Sequence, residues 1–141
     1  MASPLTSANT CPSPVEWRAA MGYFPTGVTI GTTGDGQTPG GATIKAFCSV
    51  SLEPPLVVVA LDRRRYITPK VHAAGRFAVN VLGEHQQALA DCFAGAPVEP
   101  GRDHFCGAAW QPGTSGMPLL EGAIATLECT IVQTVSVGDH D

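Results

Sequence analysis

The sequence is short of charge. Of 141 residues only 14% are Asp, Glu, Lys or Arg, against roughly a quarter in an average soluble domain. Eight basic residues stand against twelve acidic ones, a formal net charge of −4. The basic face that a nucleic-acid partner needs is therefore lacking. No apolar run approaches the roughly 20 residues of a membrane-spanning helix. The opening stretch MASPLTSANTCPSP has neither the basic nor the apolar region of a secretory signal. The five cysteines (Cys11, Cys48, Cys92, Cys106, Cys129) include no Cys-x-x-Cys pair, which removes zinc-ribbon and dithiol motifs. Their number is odd and their spacing wide, and without a secretory signal the thiols are expected to be reduced in the cytoplasm. Cys48 and Cys129, inside apolar strand patterns, read as small buried hydrophobes. His104 and Cys106 could share a metal, but two ligands make a poor site.

Other chemistries are missing as well. No G-x-G-x-x-G follows a strand. The glycine stretch GDGQTPGGAT lacks the lysine of a phosphate-binding P-loop and no helix follows it, so Rossmann-type dinucleotide binding is excluded. No G-x-S-x-G and no carboxylate pair occur, and His72, His85, His104 and His140 are scattered. Nothing resembles a nucleophile with its base.

What the chain does have is apolar content, 44%, and many turn formers: 16 Gly and 12 Pro, together about a fifth of all residues. One domain over 13–141, preceded by a flexible tail over 1–12, fits this length. Ser13-Pro14-Val15-Glu16 is a helix start with a capping box and Pro at the first helical position. Trp17, Ala20 or Met21, and Phe24 then share one face, and Pro25 and Gly27 end the helix. Residues 28–33 alternate as a strand, Gly34-Asp35-Gly36 signals a turn, and residues 40–52 give one or two strands. Residues 56–61, continuously apolar and β-branched, predict a central strand buried on both sides. A polar loop at 62–65, a short helix from Thr68 to Gly75, a strand over 77–82, a helix over 84–93 and a long strand over 123–135 complete the pattern. This is a mainly β chain with short helices, arranged as a small antiparallel barrel or sandwich.

Three polar stretches interrupt the apolar strands. Pro25-Thr26-Gly27 offers a hydroxyl and a glycine that lets backbone approach a ligand. Thr43-Ile44-Lys45-Ala46, followed by Ser49 and Ser51, places hydroxyls and an ammonium within strands, where a ligand phosphate or a solvated face would satisfy them. Arg63-Arg64-Arg65 is either a polyanion site or an exposed basic loop. A phosphate-friendly pocket without acid–base machinery points to a bound organic cofactor that carries the chemistry.

The ordered segments FPTGVTIGTT at 24–33, ATIKAFCSVSLEPPLVVVALDR at 42–63, RFAVNVL at 76–82, DHF at 103–105, LEGAIATLEC at 120–129 and GDH at 138–140 resemble the short-chain flavin reductase family from Trp17 to His140. The resemblance implies a six-stranded antiparallel Greek-key split β-barrel, the FMN-binding split barrel, working as a homodimer. It implies reduction of FMN or FAD by NADH or NADPH, with the reduced flavin passed to a separate flavin-dependent monooxygenase. The alternatives are a non-catalytic flavin-binding split-barrel module and a monooxygenase accessory subunit. By position, Pro25, Thr26, Gly27 and Val28 match the turn against the flavin. Thr43, Ile44, Lys45, Ala46 and Ser49 match the segment that bonds the isoalloxazine and its ribityl phosphate. Arg63 and Arg64 match the phosphate loop, Phe105 an aromatic at the flavin pocket, and His140 a histidine on the nicotinamide side. No catalytic residue and no metal ligand is implied. Where family members carry hydroxyls this chain has Lys45, Ala46, Arg64 and Arg65, which adds positive charge near the expected phosphate. Family members also continue past the position of Asp141 with an apolar strand, so the expected barrel lacks its last strand or strands and has an open edge.

Overall fold

The computed structural model describes residues 11–34, 38–95 and 105–141. Most of the expected tail, Asp35 and Gly36 of the expected turn, and Asp103 and His104 of DHF lie outside the described residues. Three short helices and eight short strands follow in order: α1 (Pro14–Gly22), β1 (Thr29–Thr33), β2 (Gly40–Ile44), β3 (Phe47–Leu52), β4 (Pro55–Val59), α2 (Ile67–Ala74), β5 (Arg76–Val81), α3 (Gln87–Phe93, entered through a 3₁₀ turn at Glu84–Gln86), β6 (Trp110–Pro112), β7 (Pro118–Leu120) and β8 (Ala125–Thr130). The mainly β class with short helices holds, with eight strands described where six were expected.

Local chemistry sets the helix ends. Ser13 and Glu16 form the capping box, the Glu16 carboxylate accepting from the Ser13 backbone N–H at 2.8 Å. Gly75 ends α2 at φ 66°, where its N–H reaches the Val71 carbonyl, a left-handed cap that glycine adopts without a Cβ clash. No helix of the described residues is long and apolar enough to cross a membrane.

The main sheet has the order β2-β1-β5-β8, every pair antiparallel. The register puts Ile30 opposite both Thr43 and Asn80, and Gly31 opposite Ala42 and Val79. Paired residues share a face, so the sheet has two differently equipped sides. One carries Ala42, Ile44, Phe77 and Val79, which pack with Leu61 and the α2 residues Ile67 and Val71 into one core. The other carries Ile30, which joins Phe93, Phe105 and Leu120 in a second core under α3 and the β6–β7 hairpin. β1 is buried at all five positions, and its threonines survive burial because each hydroxyl finds a carbonyl: Ile44 for Thr29, Pro118 for Thr32 and Arg76 for Thr33.

Several expectations are corrected. β4 is not a central strand: among the described residues it pairs only with β3, and Val58 is half exposed. Its unbroken apolar run serves a hairpin that stands apart from the main sheet. Cys48 is exposed on that hairpin and Cys129 half-buried. α1 buries none of its residues, and Trp17, Met21 and Phe24 are exposed. The long strand stops at Thr130. Cys92 and Cys106 do not stand as thiols but form a disulfide, because α3 and the residues before β6 bring their Cα atoms to 6.1 Å.

Candidate flavin site

The β1–β2 ladder fixes one end of the site. Val28 enters β1 with its carbonyl accepting the Leu82 N–H, and the Thr29 hydroxyl donates to the Ile44 carbonyl at 2.8 Å. The chain then turns sharply at Lys45–Ala46, the Phe47 N–H returning to the Lys45 carbonyl. Lys45 and Ala46 are exposed at this corner. Among the described residues no carboxylate lies within ion-pair reach of Lys45.

Beside the corner runs the end of β4. The Ala60 N–H donates to the Ala46 carbonyl, Leu61 and Asp141 exchange both backbone hydrogen bonds, and the Arg63 N–H donates to the Asp139 carbonyl. Asp62 pairs with His140 in the same ribbon. The sequence-predicted Ile44, Lys45, Ala46, Arg63, Arg64 and His140 are thus brought to neighbouring segments, although the GDH motif lies some 75 residues from the arginines.

The arginines are already ordered. Arg64 grips Asp62 with two nitrogens, Nε at 3.0 Å and Nη2 at 2.7 Å, and Nη2 lies 3.7 Å from Asp139. Arg63 donates to the Gly138 carbonyl and approaches Asp141 at 3.9 Å. The Arg64 hydrogen bonds hold the Asp62 carboxyl well below the usual carboxylate range. His140, through its Nδ1 contact at 2.7 Å, does most to lower Asp139. For Asp141 the Ser136 hydroxyl at 2.6 Å comes first, ahead of His72 at 3.0 Å. Sequence reasoning missed these aspartates. The only local signal was Asp62 two residues before Arg64, which a fork-shaped guanidinium can reach.

Other predicted residues fall elsewhere. Pro25, Thr26 and Gly27 are exposed between α1 and β1, and open space surrounds the place where a Gly27 Cβ would lie. Ile44 presents only backbone, its side chain being in the first core. Thr43 turns its hydroxyl the other way, to the Ala90 carbonyl of α3 at 2.6 Å. Ser49 lines an open, mostly apolar groove of about 1100 Å³ between the β3–β4 hairpin, β8 and the chain end, which His140 and Asp141 also line. Phe105 is not part of this constellation. It is 4% exposed in the second core, edge-on to Phe93 at 5.3 Å and Trp110 at 5.9 Å.

The donor set suits a phosphorylated flavin. Lys45 is unneutralised among the described residues, and the Arg64 side chain, though paired, remains 78% exposed, so both can still donate to a phosphate.

Residues 21–141 match the family described as Flavin reductase like domain. The chain is 40% identical over 131 residues to an NADH-dependent flavin reductase of a Rhodococcus species, covering 91% of this chain and 71% of that one. It is 37% identical to the reductase subunit HsaB of a flavin-dependent monooxygenase from Mycobacterium tuberculosis, covering 90% of this chain and 66% of that one. The structure of the NADH:FAD oxidoreductase SgcE6 from Streptomyces globisporus C-1027, in complex with NAD and FAD fragments, superposes with a TM-score of 0.80 at 39% identity, over 93% of this chain and 79% of that one. The chain spans about two thirds to four fifths of the length of these relatives. With its flavin reductase split-barrel fold and a family match over all but its first twenty residues, this chain belongs to the flavin reductase like domain family.

Proposed function

We propose that the protein is an NADH-dependent flavin reductase that takes FMN or FAD and supplies the reduced flavin to a separate flavin-dependent monooxygenase. The observation that carries this reading is the corner where Lys45 and the exposed Arg64 guanidinium lie on segments joined by backbone hydrogen bonds beside an apolar groove, in a chain similar to enzymes named for this activity. In this reading Lys45, Arg63 and Arg64 hold the flavin phosphate, and Gly27 lets the backbone of 25–28 lie against the ring. Backbone N–H groups at the β2–β3 corner face the ring edge where negative charge gathers on reduction. When bound, the flavin would supply the hydride-accepting chemistry that no side chain of this chain provides. The protein's task is to stack the two rings at contact distance and keep water away, which needs no acid–base pair. His140, fixed by Asp139 and the Asp62 bridge, is proposed to border the nicotinamide. Homodimerisation belongs to the same proposal. It is supported by the apolar groove and by Leu52 and Val58, 92% and 50% exposed on the β3–β4 hairpin.

The test is loss of NADH absorbance with the purified chain, with and without FMN. Consumption that needs both protein and FMN is the expected result. Flavin binding without turnover by a folded sample would overturn the reductase reading in favour of a flavin-binding module.

A further inference from the structure

The last turn of α3 is a junction. Thr43 of β2 donates to Ala90, Arg65 of the arginine loop donates to the Ala94 carbonyl at 3.1 Å, and the Phe93 ring lies against Gly41, where a Cβ would come within 2.4 Å of it. Cys92 sits among these residues and is covalently joined to Cys106. α3 has seven residues and no side-chain cap at its start. A helix that short does not hold itself and takes its position from tertiary ties. The far anchor is unusual too. Cys106 is the only non-glycine with positive φ among the described residues, at 60°, and Gly107 follows at 63°. Together they form a tight turn closed by the Ala108 N–H on the Phe105 carbonyl at 3.0 Å. The left-handed conformation is disfavoured for a residue with a Cβ, and here it falls on the residue bonded to Cys92. Both cysteines are half-buried rather than sealed, within reach of small reagents.

We infer that Cys92 and Cys106 are a reversible thiol–disulfide couple whose oxidised state clamps α3 beneath β2 and the arginine loop, and so raises affinity for flavin. The inference rests on the proposed flavin reading. In oxidation by a hydroperoxide, one thiolate attacks a peroxide oxygen, the O–O bond breaks, the other oxygen leaves as alcohol or water, and a sulfenic acid forms. The second thiol displaces its hydroxyl as water, and the S–S bond closes. In reduction a dithiol attacks one sulfur, and its second thiol resolves the mixed disulfide. Two electrons and two protons pass to Cys92 and Cys106, and the dithiol leaves as a disulfide.

The experiment uses the full chain with FMN as probe, binding being read from quenching of flavin fluorescence. Counted after unfolding in guanidinium, untreated protein is expected to show three thiols, those of Cys11, Cys48 and Cys129. Dithiothreitol should raise the count to five, and FMN affinity should fall about fivefold or more. Hydrogen peroxide should restore both. Cys92→Ser and Cys106→Ser should stay at the low affinity whatever the treatment, and Cys48→Ser should behave as the parent. A thiol count that dithiothreitol leaves unchanged in folded protein overturns the inference, as does equal affinity in the two states. If neither state binds FMN, the flavin reading itself falls. Trp110 emission, reporting on the neighbouring Phe105 turn, then decides the couple, and a spectrum indifferent to redox state overturns it.

Discussion

The Asn80 side chain accepts the backbone N–H of Leu120 at 2.8 Å in the interior of the protein. The same amide donates to the Ile30 carbonyl at 3.0 Å and the Thr32 hydroxyl at 3.1 Å. One fully buried residue on β5 thus ties β1 to the β6–β7 hairpin. Asn80→Ala would leave the Leu120 N–H without its partner in a dry setting. We expect a loss of about 2–3 kcal/mol, seen as a lower denaturant midpoint at unchanged slope. A midpoint equal to the parent's would show that the amide contributes nothing net.

Gly41 is required by the approach of Phe93. A Cβ there would meet the ring at 2.4 Å, and the ring also packs edge-on with Phe105. Gly41→Ala should cost about 1–3 kcal/mol by overpacking and loosen α3. Hydrogen exchange of the α3 amides is the check, and protection as in the parent would contradict it.

The aspartates of the arginine loop and chain end make the site acid-sensitive. Asp62, Asp139 and Asp141 all have lowered pKa values in the folded chain. The unfolded chain therefore binds more protons in acid. Their contribution is fully present above the unfolded carboxylate value of about 4 and is lost as pH falls below it. The ribbon joining Leu61 to Asp141 should loosen first, which amide exchange at Asp141 would reveal. Arg64→Ala should flatten the dependence for Asp62, and high salt should weaken the exposed pairs.

Phosphate recognition can be separated from ring recognition. Arg64→Ala and Lys45→Ala should each weaken FMN about tenfold, the loss of one charge-assisted hydrogen bond. Riboflavin, which has no phosphate, should be used as well as by the parent. Equal losses for both flavins would place these cations outside the phosphate site.

Legibility in the sequence followed the range of the interactions. The α1 cap depends on residues three apart, so Ser13-Pro14-Val15-Glu16 announced it. The Gly75 cap, the turn at 53–55 and most strand segments are equally local. The motifs that carry the family resemblance also lie within single segments. They named the basic residues of the site but not what those residues touch.

Sequence alone therefore determined the mainly β class, most element positions and the family, because caps, turns and period-two patterns act over a few residues. The tertiary structure decided the rest. It buried Thr32 by pairing it with Pro118, 86 residues away. It bound Arg64 between Asp62 and Asp139, sent the Thr43 hydroxyl to α3, and put Phe105 in a core rather than at the arginine corner. It joined Cys92 to Cys106 and left β4 on a half-exposed hairpin. Those outcomes depend on which distant segments meet. An apolar run reads the same whether a neighbouring sheet covers it or not, and an arginine reads the same whether its partner is a carboxylate of the chain or a phosphate.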